Sequence, residues 1–312
     1  MPEFEAVDAG PRLNPYLAVL LGVVAVSFAG ILTRLATAPP LAIAFYRISF
    51  TALLLLPLAL RRTNRAELRT VSGQDLALAL LSGASLALHF TVWNTSLHYT
   101  SVASATVLVT MQPLFVVGLG LVLFKERLGA QGVAGAVLTV AGSMVIGAGD
   151  FRIGGPALWG DLLAFSGAFF LAMYVLIGRS LRMRLSLISY VTLVYGSASL
   201  VLLIFMAIAR TPLFPYPSLD WLLFLALAVI PTIFGHTVFN WALRYVKAAV
   251  VSVSILGEPV GATILAMLIL GEKPGLPQLL GGLVIITGLF LFITATGRPE
   301  RTDRVSEHQA GA

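Results

Sequence analysis

The chain has 312 residues, 58% of them hydrophobic and only 11% charged, and it contains no cysteine. With a mean hydropathy of +0.94, an ordinary soluble domain, which runs about 25% charged, is excluded, and so is a disordered chain. The missing cysteines exclude a disulfide-stapled scaffold, thiolate metal sites and cysteine nucleophiles.

In chain order, ten apolar stretches are predicted as membrane-spanning helices, each bounded by charge, proline or glycine. They cover residues 15–35, 39–60, 75–98, 101–124, 129–147, 156–179, 185–209, 218–244, 248–270 and 276–296. Period-two alternation is absent, so a β-barrel is not expected. The predicted fold is an all-α integral membrane protein without a soluble domain. Ala36 and Ala38 form an A-x-A pattern like a signal-peptidase site. The long apolar run, the acidic residues ahead of it (Glu3, Glu5, Asp8) and Pro39 argue against cleavage.

Arginine and lysine bias sets the expected orientation. Arg12, Arg61, Arg62, Arg65, Arg69, Lys125, Arg127, Arg179, Arg182, Arg184, Arg244, Lys247, Arg298, Arg301 and Arg304 fall on one side of a ten-span chain. The other side holds Arg34, Arg152, Arg210 and Lys273, while Arg47 lies inside the second span. Both termini are therefore expected in the cytoplasm, with the chain in the inner (plasma) membrane. The net charge of +6 reads as a topology signal, and no nucleic-acid partner is expected.

Shifting the chain against itself by 146 residues aligns Thr91, Val92, Asn94, Leu97, Tyr99, Ala103, Val107, Pro113, Leu119, Glu126, Gly129, Gly135 and Gly142 with identical residues. Their mates are Thr237, Val238, Asn240, Leu243, Tyr245, Ala249, Val253, Pro259, Leu265, Glu272, Gly275, Gly281 and Gly288. The chain thus divides into a tail (1–14), a first repeat (15–147), a linker (148–155), a second repeat (156–296) and a second tail (297–312). Each repeat holds five predicted spans, an odd number, so the halves are expected to insert in opposite orientations. Such inverted repeats are typical of secondary transporters, whose sites lie near the midplane between the halves.

Three stretches carry a more specific likeness: Met111, Gln112 and Pro113 onward to Glu126; Gly257, Glu258 and Pro259 onward to Glu272; and Phe45, Tyr46 and Arg47 in the second span. Together with the glycine-bearing fifth helix of each half, they resemble the EamA-type transporters of the drug/metabolite transporter superfamily over about residues 15 to 296. The resemblance implies a ten-helix exporter of small metabolites, amino acids or drugs, without a bound cofactor. The halves differ where Gln112 stands opposite Glu258. One buried arginine does not supply the several basic residues of the superfamily's triose-phosphate branch.

Polar side chains inside hydrocarbon are costly, so each is either satisfied structurally or faces a wet cavity. Glu258 falls near the middle of its span, where a lone carboxylate can load and release a proton, or can instead fix the helix break at Pro259. Arg47 lies somewhat outward of the midplane, either paired structurally or receiving a substrate carboxylate. Two helix faces carry polar stripes, Ser82, Ser85, His89, Trp93 and Ser96 on the third span and Thr232, His236, Asn240 and Arg244 on the eighth. Asn94 corresponds to Asn240 in the repeat. A weaker stripe runs through Ser189, Thr192, Gly196 and Ser199, and Tyr174 and Trp241 are aromatic candidates for the cavity wall. The predicted cavity residues are thus Arg47, His89, Trp93, Asn94, Tyr174, Thr192, His236, Asn240, Trp241 and Glu258.

Pro113, Pro231 and Pro259 are read as hinges, since each removes a backbone hydrogen bond within a span. The paired glycines of the fifth and tenth spans are expected to let those helices pack closely, on each other or on a second subunit. Glu126 and Glu272 read as loop caps or interfacial salt bridges. No metal site is expected, and no nucleotide loop or nucleophile elbow is present. The expected function is export of small organic metabolites by alternating access, proton-coupled or facilitative, by a monomer or homodimer in contact with membrane lipid. The alternatives are a multi-span membrane enzyme, which should show a surface cluster of His, Asp or Ser, and a channel, which should have a continuous polar lining.

Overall fold

The computed structural model describes residues 11, 13–100, 102–123, 129–147, 155–270 and 275–296. Among these the protein is all helical. Glu126, Glu272, nearly all of the predicted linker and the C-terminal tail lie outside the described residues, as does most of the N-terminal tail.

The first predicted span is two helices, α1 (Pro15–Val26) and α2 (Phe28–Leu35), meeting at Ser27. Asn14 caps α1, its side chain accepting from the Tyr16 amide, and Pro15 enters the first turn where no amide donor is required. α3 (Pro40–Ala59) likewise starts on proline. The polar loop that follows contains a short helix, α4 (Arg62–Arg69). α5 (Gly73–Ser96) begins at an N-cap serine, Ser72.

The fourth predicted span is divided into α6 (Val102–Val109) and α7 (Gln112–Leu123). α8 (Ala130–Gly147), α9 (Gly155–Arg182) and α10 (Leu187–Ile208) are continuous. The eighth span joins α11 (Ser218–Leu227), a π-helical segment (Ala228–Thr237) and α12 (Val238–Ala242). α13 (Ala248–Ile255) and α14 (Glu258–Leu270) divide the ninth span as α6 and α7 divide the fourth. α15 (Leu276–Thr296) matches its predicted bounds.

Seven of these helices or helix pairs are long and apolar enough to cross a membrane, and three shorter apolar stretches, Ala105–Val116, Ala130–Val145 and Leu279–Ala295, accompany them. The outward faces carry exposed apolar side chains such as Leu20, Leu53, Leu222, Leu268 and Phe290, as a surface solvated by lipid requires.

Small residues govern the packing. Ala79 and Ala87 on α5 and Ala164, Ala168 and Ala172 on α9 are fully buried, and these two helices pack on each other. α8 and α15 meet backbone to backbone. A Cβ on Gly135 would stand 2.6 Å from the Phe292 amide nitrogen, and one on Gly142 would stand 2.7 Å from the Gly281 carbonyl oxygen. The paired glycines thus serve a contact within one chain.

Candidate functional site

The divided helices, the π segment, α3 and the second half of α5 surround a small cavity of about 30 Å³. Its polar lining comes from Arg47, His89, Thr110, His236 and Glu258, and its apolar lining includes Phe90, Trp93 and Phe239.

Arg47, on α3, is 2% exposed. Its Nε donates to Thr232 Oγ1 at 2.8 Å, and its guanidinium carbon stands 4.4 Å from the centre of the Phe90 ring. Its Nη2 is buried without an acceptor. Glu258 opens α14 on another wall, and the two residues share the cavity without an ion pair. The ion pair found among the described residues is elsewhere, between Arg184 and Asp75 at 2.7 Å.

Pro231 shapes the π segment. It cannot donate to the carbonyl of Leu227 four residues back, and the Thr232 hydroxyl takes that carbonyl at 2.8 Å. Thr237 Oγ1 donates to the Thr232 carbonyl at 3.1 Å in the same five-residue relation. The carbonyl that the proline cannot reach is thus met five residues on, where the Thr232 hydroxyl joins the π turn. The wider turn keeps both Thr232 and His236 buried.

His89 Nδ1 lies 3.0 Å from the carbonyl of Gly167. A carbonyl only accepts, so Nδ1 carries the hydrogen and Nε2 is the acceptor of the neutral ring. Its ring is parallel to that of Trp93, with centroids 6.4 Å apart. His236 meets Phe90 and Phe239 edge-on.

The other predicted residues divide between a second layer and the periphery. Asn240 Nδ2 donates to the hydroxyls of Tyr174 at 2.6 Å and Tyr195 at 3.3 Å, and Tyr195 pairs with Thr237 at 3.0 Å. Tyr174 and Asn240 thus brace the π segment from behind the lining. Asn94 donates to the carbonyl of Pro40 at 3.2 Å, at the start of α3. Thr192 bonds back to Ile188 on its own helix, and Trp241 stacks near Tyr245, with neither on the cavity wall. Gln112, the repeat counterpart of Glu258, is fully buried with no partner for its side-chain amide.

Pro113 and Pro259 stand second in α7 and α14. The helix breaks precede them, at Thr110–Met111 and Leu256–Gly257, and a proline in the first helical turn removes no needed bond.

Side chains also tie the two sequence repeats together at both ends of the bundle. At the end holding α4, both carboxylate oxygens of Glu67 accept from Ser186, one from its amide at 2.7 Å, and Ser189 Oγ donates at 2.6 Å. Burial works against the charge of Glu67, but the serine hydrogen bonds and Arg182 outweigh it and hold its carboxyl below the usual range. At the opposite end, Asp220 accepts from the Thr37 amide at 2.9 Å and hydroxyl at 2.8 Å, and Asp161 accepts from Thr100 Oγ1 at 2.7 Å. Ser189 belongs to the weaker stripe of the seventh span, but Glu67, Asp161 and Asp220 carry no mark in the sequence because they lie at span ends and in loops, where charge is ordinary.

A helical membrane protein with a buried, mixed-charge cavity among broken helices is the class that this fold and site define. Comparison with known proteins makes it specific. The EamA-like transporter family matches residues 13–148 and 158–294, and the chain belongs to that family. An uncharacterized transporter of Bacillus subtilis (strain 168), YdfC, is 25% identical over 274 residues, covering 87% of each chain. An uncharacterized transporter of Archaeoglobus fulgidus is 26% identical over 281 residues, covering 88% of this chain and 95% of its own. A solved crystal structure superposes with a TM-score of 0.77 at 18% identity, covering 92% of this chain and 100% of the other, and so shares the fold.

Proposed function

We propose that this protein is a secondary transporter that exports small organic metabolites, amino acids and related compounds or drugs among them, across the inner membrane by alternating access. In this reading the chain crosses the membrane ten times in two inverted five-helix halves, with both termini in the cytoplasm. The odd number of spans between repeat mates and the one-sided arginine and lysine bias support that topology.

The observation that carries the reading is the composition of the cavity wall. Arg47 and His89 come from the first repeat and His236 and Glu258 from the second, so both halves bring ionisable groups to one cavity. Groups so expensive to bury are retained where a solute must be bound between two halves. Glu258 is the proposed proton-coupling group, being the acidic member of that lining. Pro231, with the breaks before Pro113 and Pro259, marks where the helices bend as access changes.

Uptake into proteoliposomes of a panel of amino acids and small organic acids, with and without a pH gradient, tests the function. A rate that follows the gradient in wild type and not in Glu258→Gln supports coupling, and indifference to the gradient leaves facilitated transport. Unchanged transport of every solute by both Arg47→Ala and Glu258→Ala would remove the cavity as the route.

A further inference from the structure

We propose that the compound moved through the cavity carries a carboxylate, that Nη2 of Arg47 receives it, and that Thr232 is the residue positioning the guanidinium to do so. This rests on the reading of the cavity as the transport site.

A guanidinium presents five N–H donors in a fixed plane. That of Arg47 is buried against the Phe90 ring, with Nε committed to Thr232 and Nη2 left without an acceptor. No acidic side chain among the described residues pairs with it. Glu258 shares the cavity but makes no ion pair with it; a buried cation without a hydrogen-bonded anion is costly, and the planar fork is complementary to a carboxylate. A neutral amide in the same place could present its one carbonyl oxygen to Nη2 but would bring neither the negative charge nor a second acceptor, so its contact would be weaker.

Thr232 fixes which edge is offered. Pro231 has no amide hydrogen to give the Leu227 carbonyl, the segment takes the wider five-residue turn, and the Thr232 hydroxyl gives that carbonyl its only hydrogen at 2.8 Å. Toward Arg47, Oγ1 can then act only as an acceptor, and Nε fills that role at 2.8 Å. Thr237, itself paired with Tyr195, holds the Thr232 carbonyl and so the segment. The guanidinium plane is thereby set by a hydroxyl whose hydrogen the Leu227 carbonyl takes. The aromatic wall of Phe90, Trp93 and Phe239 offers the remainder of the solute an apolar surface.

The test is equilibrium binding to the purified full-length protein of three acid and amide pairs: acetate with acetamide, benzoate with benzamide, and phenylacetate with phenylacetamide. At least one acid is expected to bind about tenfold or more tightly than its amide, as sites built around a buried donor discriminate strongly. Arg47→Gln should abolish the discrimination. Thr232→Val should reduce it about fivefold or more, while Thr232→Ser should keep it, a rescue that packing alone would not give. Equal binding of acid and amide in all three pairs overturns the proposal, and this comparison needs no variant to fold. Discrimination unaltered by Thr232→Val overturns the role of Thr232. Failure of a bound acid to cross proteoliposome membranes, with its discrimination intact, contradicts the transport reading and leaves the receptor standing.

Discussion

Ser27 Oγ, at the junction of α1 and α2, donates to Val23 O at 2.8 Å and lies 3.4 Å from the main-chain carbonyl of Glu258. The break between α1 and α2 therefore sits against the break between α13 and α14, and the residue that opens α14 lies at a contact between the two repeats. Gly261 permits this approach, because a Cβ there would come within 2.1 Å of Ser27 Oγ.

Gly261→Ala is predicted to destabilise the protein by about 1–3 kcal/mol, the usual range for overpacking. Ser27→Ala in the same chain removes the nearest clashing atom and should restore part of the loss, so the two substitutions should be non-additive. Thermal unfolding of the two single variants and the double variant checks this, and strict additivity would count against the contact.

The glycine seam between α8 and α15 makes a second prediction. Gly135→Ala and Gly142→Ala place a methyl group against backbone, which cannot rotate aside as a side chain can. Each should cost about 1–3 kcal/mol, whereas Gly118→Ala, with nothing within 4 Å of the added atom, should be near neutral. Unfolding midpoints measured in one detergent distinguish the two classes.

Glu67 gives a pH dependence with a defined sign. Its folded-state carboxyl lies below the usual value, so its contribution is fully present above the unfolded pKa and is lost as the pH falls through the folded one. Glu67→Gln should lower stability by about 1 kcal/mol at neutral pH, solvent screening keeping the figure small. The difference from wild type should shrink in acid. A difference that stays constant or grows as the pH falls would be the wrong sign.

Much of the fold was legible in the sequence because membrane burial writes long apolar runs, and α15 begins and ends where its run does. The breaks were not. Ser27 interrupts a run with no proline nearby, and what accompanies it is a contact with a residue 231 positions away. The two repeat prolines point to the right places for a different reason than expected, since each follows a break. Arg47 and Glu258 stood out because charge is rare inside a span. Thr232 did not, because a threonine in a polar stripe carries no mark of the π turn that aims its hydroxyl. Thr192 and Trp241 show the converse, a helical stripe and an aromatic side chain that do not reach the cavity wall.

The most direct test of alternating access uses the absence of native cysteine. Thr110 lines the cavity and is 1% exposed, so Thr110→Cys puts one thiol on its wall. Labelling by a membrane-impermeant maleimide is measured in sealed vesicles of each orientation, with the Glu67→Gln and Asp220→Asn changes added in turn. The account predicts that Thr110→Cys is reached from both faces, faster from the α4 face in Glu67→Gln and faster from the opposite face in Asp220→Asn. Labelling from one face alone, unchanged by either substitution, would contradict it.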